Sequence, residues 1–106
     1  MNINQKAQEL AVFIKQSEEF KTMNKYKKEI EKNKNIKKQL DSYLNKKNKI
    51  YTKYKMDEAT KKIYQLDKEY SKVFQIPLVE NYFNSTQKFN LLMQNVYKSI
   101  EEELLK

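Results

Sequence analysis

Apolar residues recur at steps of three and four along nearly the whole chain. The first set is Ile3, Ala7, Leu10 and Ile14, with Ser17 next in step and Ala11 and Phe13 widening the stripe. That spacing gathers side chains on one face of a helix. Ser17 predicts a kink or short break, because its hydroxyl can accept from the N–H of Glu19 or Phe20. Glu18 and Glu19 then fall in a first turn, where the helix dipole favours acids. Phe20, Met23 or Tyr26, and Ile30 carry the pattern to about Glu31.

Lys32-Asn33-Lys34-Asn35 has no apolar member. Asn caps helices and tolerates turns, so Asn33 or Asn35 marks the next boundary. The following stripe is Ile36, Leu40, Tyr43 with Leu44, Lys47, Ile50 and Tyr54. Lys47 lies on this seam, where its alkyl stem can cover apolar surface while the ammonium reaches water. Asp57 is expected to cap a further helix that buries Ala59, Ile63, Leu66, Tyr70 and Val73, with Phe74 alongside. Pro77 ends that helix and suits the first turn of another. The last stripe is Val79, Tyr82, Phe83, Thr86, Phe89, Leu92, Met93, Val96, Ile100 and Leu104.

No segment alternates with period two, and the chain has no glycine for hairpin turns. The expected fold is all-α: an elongated antiparallel bundle of about three to five helices, packed in an oligomer. Its 106 residues make one domain, 1–106, by length. The oligomer follows from composition. Charged residues make up 34% and the mean hydropathy is −1.00. Such a chain builds a thin core, which a second copy or a partner completes.

Charge is uneven. All 22 basic residues are Lys, and the formal net charge is +8. Residues 21–55 hold 13 Lys against 3 acids. A block like this suits nucleic acid or an acidic protein, or is simply a solvated face. The lack of Arg removes the bidentate fork that reads bases and phosphates. The early apolar run Leu10–Ile14 is too short for a secretion signal, and no run is long enough to span a membrane. A cytoplasmic location is expected, and the absence of Cys fits it.

Chemistry is sparse. Without Cys or His there is no familiar nucleophile–base pair, thiolate zinc site or iron–sulfur ligand, so neither catalysis nor a cofactor is expected. Glu101, Glu102 and Glu103 are consecutive and point to different faces of one helix. Tyr43, Tyr54, Tyr70 and Tyr82 fall on inward stripes, which reads as core aromatics with wet hydroxyls and not as a base-stacking platform. Lys27-Lys28, Lys37-Lys38 and Lys46-Lys47 recur on two successive segments and form the candidate basic surface.

Two segments carry a family resemblance. One is Ile76-Pro77-Leu78-Val79-Glu80-Asn81-Tyr82-Phe83-Asn84-Ser85, followed by Phe89, Leu92-Met93, Val96 and Ile100. The other is Ala7, Leu10-Ala11 and Ile14-Lys15-Gln16-Ser17-Glu18-Glu19-Phe20-Lys21. Together they resemble the YlbF/YmcA family of small helical proteins from Gram-positive bacteria. Ile76 stands where that family often has Asn, and no Gly marks the break near Tyr54 to Asp57. The resemblance implies a self-associating, cytoplasmic, non-enzymatic regulator. Some members join a complex that influences competence, sporulation and biofilm formation and act with the endoribonuclease RNase Y. Some are linked to an iron–sulfur cluster through cysteines, which this chain lacks.

The reading is therefore a regulatory adaptor working through protein contacts. It is expected to be a dimer or higher homo-oligomer, with paralogous helical proteins or RNase Y as further partners. The expected contact stripe is Val79, Tyr82, Phe83, Phe89, Met93, Val96 and Ile100. The alternative is a basic helical nucleic-acid-binding module, and a third reading is a coiled-coil spacer.

Overall fold

The computed structural model describes residues 2–106. Among them the chain forms α1 (Ile3–Lys15), α2 (Glu18–Lys32), α3 (Lys34–Lys53), α4 (Met56–Glu69), α5 (Ser71–Phe74) and α6 (Pro77–Leu104). These six helices, with no strand among the described residues, make the fold all-α.

The helices are delimited without glycine. No described residue has a positive φ, so no left-handed cap is used. Polar side chains start α1, α2 and α3 instead. Asn2 accepts from the Asn4 N–H at 2.8 Å, Ser17 Oγ from the Phe20 N–H at 3.1 Å, and Asn33 Oδ1 from the Ile36 N–H at 3.1 Å. Each satisfies one donor that a first turn leaves unpaired. Ser17 also donates to the Ile14 carbonyl at 2.6 Å, closing the break between α1 and α2.

Two boundaries differ from expectation. Asp57 does not cap α4: Lys55 takes the cap position with extended backbone, and Asp57 and Glu58 fall in the first turn. The chain leaves α3 at Tyr54, also extended, so α4 begins two residues early. The carboxylates still meet the positive end of the helix dipole. Nor does α4 run through to Phe74. Tyr70 departs from helical geometry at φ −100, ψ 11. Its ring packs against Tyr43, with centroids 5.4 Å apart. The single turn α5 follows, which brings the helix count to six where three to five were expected.

The chain forms two compact units. One is Lys28–Glu80. Here α3 and α4 form an antiparallel hairpin, since Tyr43 meets Asp67 while Tyr54 lies beside Lys62. The α5 turn packs on α3, setting Phe74 edge-on to Tyr43 at 4.9 Å. Ile30, Ile36, Leu40, Tyr43, Ala59, Leu66, Val73 and Val79 are buried in this unit. Burying a side chain of Leu or Ile size is worth about 1.5–3 kcal/mol over leaving it exposed.

The other unit comprises the stretch up to Lys27 and the stretch from Asn81 onward. Phe20 and Phe89 meet edge to face at 5.7 Å. Ser85, whose hydroxyl donates to the Tyr82 carbonyl at 2.7 Å, is its buried residue. No residue of α1 is buried.

Candidate interaction surfaces

The unit containing α1 leaves large apolar side chains in solvent. Ile3 is 86% exposed, Phe13 70% and Leu104 78%, and Val12, Tyr97 and Leu105 are also exposed. Scattered exposed apolar residues are ordinary, but helical stripes of them mark contact surfaces. The residues of the expected contact stripe are placed unequally. Val79 is wholly enclosed by its own protomer. Tyr82, Phe83, Phe89, Met93 and Val96 are half-buried, and Ile100 is exposed. Ile3, Phe13, Tyr97 and Leu105 were not singled out as contact residues from the sequence. Their signal was present, because Ile3 and Phe13 belong to an amphipathic α1 and Tyr97 sits one turn before Ile100 and Glu101.

The basic surface is built along α3. Lys34, Lys37, Lys38, Lys46 and Lys49 line one open cleft, together with Asp41, Ser42 and Asn45. Lys37 pairs with Asp41 at 3.4 Å, an exposed i,i+4 contact. The structure thus brings together Lys37, Lys38 and Lys46 of the expected set. It places Lys47 elsewhere, half-buried with its ammonium over the Tyr43 ring at 5.7 Å. Lys27 and Lys28 are exposed on α2 and do not line this cleft. Lys34 and Lys49, unmarked in the sequence, were legible as single lysines at helical spacing from the marked pairs.

A second cleft lies between α3 and α4 and shares Lys46 and Lys49 with the first. Ile50, Tyr54 and Leu66 give it apolar lining, and Lys53 and Lys62 join at its edges. Lys62 lies over the Tyr54 ring at 4.6 Å and holds that ring in the cleft wall. Beside both clefts, Ser42 Oγ and the Tyr70 hydroxyl share a hydrogen bond of 3.0 Å. The Lys46 ammonium sits over the Tyr70 ring at 5.1 Å. Hydrogen bonding to Lys46, and then to Ser42, draws the Tyr70 hydroxyl below the ordinary tyrosine pKa. The same contact holds Lys46 above the ordinary lysine value. A lysine so held stays cationic well past neutrality, so the cleft presents fixed positive charge.

Among the described residues, no three of His, Cys, Asp and Glu gather closely enough to hold a metal ion. No helix among them is long and apolar enough to cross a membrane.

Neither curated proteins nor solved structures gave a match to this chain. Residues 3–104 match the family model described as control of competence regulator ComK, YlbF/YmcA. That match runs through all six helices and takes in both segments on which the resemblance was drawn. The chain belongs to the YlbF/YmcA family.

Proposed function

We propose that this chain is a non-enzymatic regulatory adaptor that works in the cytoplasm through protein contacts, with residues 1–106 acting as one functional domain. The family description, control of the competence regulator ComK, supports a regulatory role. One observation carries the mechanism. The unit that holds α1, the first part of α2 and the later part of α6 has exposed apolar stripes, and Ser85 is the buried residue among its described residues. Helices with that pattern gain stability when another surface covers them. The proposed covering surface is a second copy or a paralogous helical protein. The assembly then joins a complex that acts on competence, sporulation or biofilm formation together with RNase Y.

Two measurements test this. Sedimentation at about tens of micromolar, the range of ordinary interface strengths, should give a dimer or larger species. Affinity capture from the native organism should retain helical paralogues or RNase Y. A monomer that retains neither overturns the proposal.

The lysine cleft on α3 is the observation that favours the nucleic-acid alternative. Backbone-driven binding would be sequence-independent and fall steeply with salt. Free RNA is expected to bind only at low salt and to be released near about 0.15 M, where the Debye length is about 8 Å. Sub-micromolar RNA affinity at that salt, lost on reversing Lys27, Lys28, Lys37 and Lys38 to Glu, would establish the alternative.

A further inference from the structure

Each of α1 to α5 has a lysine in its last turn: Lys15, Lys32, Lys53, Lys68 and Lys72. Cations there complement the negative end of the helix dipole. Helix α6 has no basic residue in its last turn and carries Glu101, Glu102 and Glu103 instead. These carboxylates run against the helix dipole with no lysine beside them in the last turn, unlike Glu69 at the end of α4, which follows Lys68. They also accompany exposed apolar side chains, since Tyr97 is 62% exposed and Ile100 and Leu104 are exposed too. Tyr97, Ile100 and Leu104 stand at i, i+3 and i+7, the anchor spacing of a helix that lies in a groove. At about 100° per residue, Glu101 and Glu103 flank that stripe on its two sides, and Glu102 projects from the opposite face.

The cleft between α3 and α4 has the complementary layout. Its apolar lining is Ile50, Tyr54 and Leu66, with Lys46, Lys49 and Lys53 from α3 on one side and Lys62 from α4 on the other. Glu69 is the acid among its lining residues. We infer that this cleft receives the Tyr97–Leu104 face of α6 from a second copy of the chain, with Glu101 and Glu103 set against its lysines. The contact to be given up is small: Glu103 pairs with Lys106 at 2.9 Å, and both side chains are more than two-thirds exposed. The inference rests on the self-association proposed above and names its surfaces. Because the two surfaces differ, the contact either occurs twice, reciprocally, in a two-fold dimer, or runs head to tail and closes a ring or continues into a chain of copies.

Charge reversal tests it by sedimentation equilibrium. E101K/E103K should weaken self-association at least tenfold, and E102K should leave it within twofold. Lysines in the last turn suit the helix dipole, so the double variant should keep its helix content, checked by circular dichroism. K49E/K53E should weaken association equally. Mixing K49E/K53E with E101K/E103K should restore a complex between the two variants. A parent chain that stays monomeric overturns both this contact and the self-association beneath it. A parent that assembles while E101K/E103K does so equally well overturns only this contact. Weakening in both variants without restoration on mixing overturns it too. If K49E/K53E instead loses single-stranded RNA binding at about 0.15 M salt while self-association is unchanged, the cleft serves nucleic acid and the inference fails.

Discussion

Tyr43 is the residue on which the Lys28–Glu80 unit turns. It is 5% exposed, touches the rings of Tyr70 and Phe74 and donates to Asp67 Oδ1 at 2.5 Å. Burial first, and then the hydrogen bond and charge of Asp67, push its hydroxyl pKa above the ordinary 10.0. The neutral phenol is therefore favoured in the folded state. In the unfolded chain it ionises near its ordinary value, so the folded state holds more protons above that pH. Stability from this group is complete below about pH 10 and is lost as pH rises beyond it. Tyr43→Phe should cost about 1.5–3 kcal/mol at neutral pH, the worth of a hydrogen bond to a charged group. Chemical denaturation checks this, and the gap between parent and variant should shrink by about 1.4 kcal/mol per unit above pH 10. Spacing alone showed that Tyr43 points inward. It did not show Asp67 as its partner, because that pairing spans the α3–α4 hairpin and depends on its register.

At the scale of helices, the starts of α1, α2 and α3 rest on side-chain caps. Asn33→Ala should destabilise by about 1 kcal/mol, because the Ile36 N–H loses its acceptor. Asn35→Ala is the control. Its side chain accepts only from Gln39, an exposed contact of 3.1 Å, and a thermal melt should show little change. The caps at Ser17 and Asn33 and the helix start at Pro77 were legible, since Ser, Asn and Pro act through their own backbone chemistry. The break at Tyr70 was not, because no local signal interrupts the stripe from Ala59 to Phe74. A tertiary contact made by one ring ends the helix there. Phe20 and Phe89 join α2 to α6 through one edge-to-face contact. Phe89→Ala should lower the thermal midpoint by several degrees, since such a pair contributes about 0.5–1.5 kcal/mol beyond its buried area.

For the molecule as a whole, helical periodicity reported which face of each helix is apolar but not what covers that face. The stripes of α3 and α4 are buried by each other, whereas the equally regular stripe of α1 is not buried. Leu44 and Ile100 make the same point, since both sit on stripes that look inward and both are exposed. The lysine clefts were legible in part. Charge density located them on the right segment, but only the fold showed that Lys47 covers Tyr43 while Lys49 faces the cleft. The bare face of α1 has a consequence for amide exchange with solvent deuterium. A helix of 13 residues without packing is marginal in water, since isolated helices shorter than about 12–15 residues barely hold their turns. In a dilute protomer the α1 amides should exchange orders of magnitude faster than those around Leu40 and Leu66, which open only with the hairpin core. Raising the protein concentration should slow exchange in α1 and leave the core amides unchanged. Mass spectrometry of the deuterated chain would then locate the covering surface residue by residue.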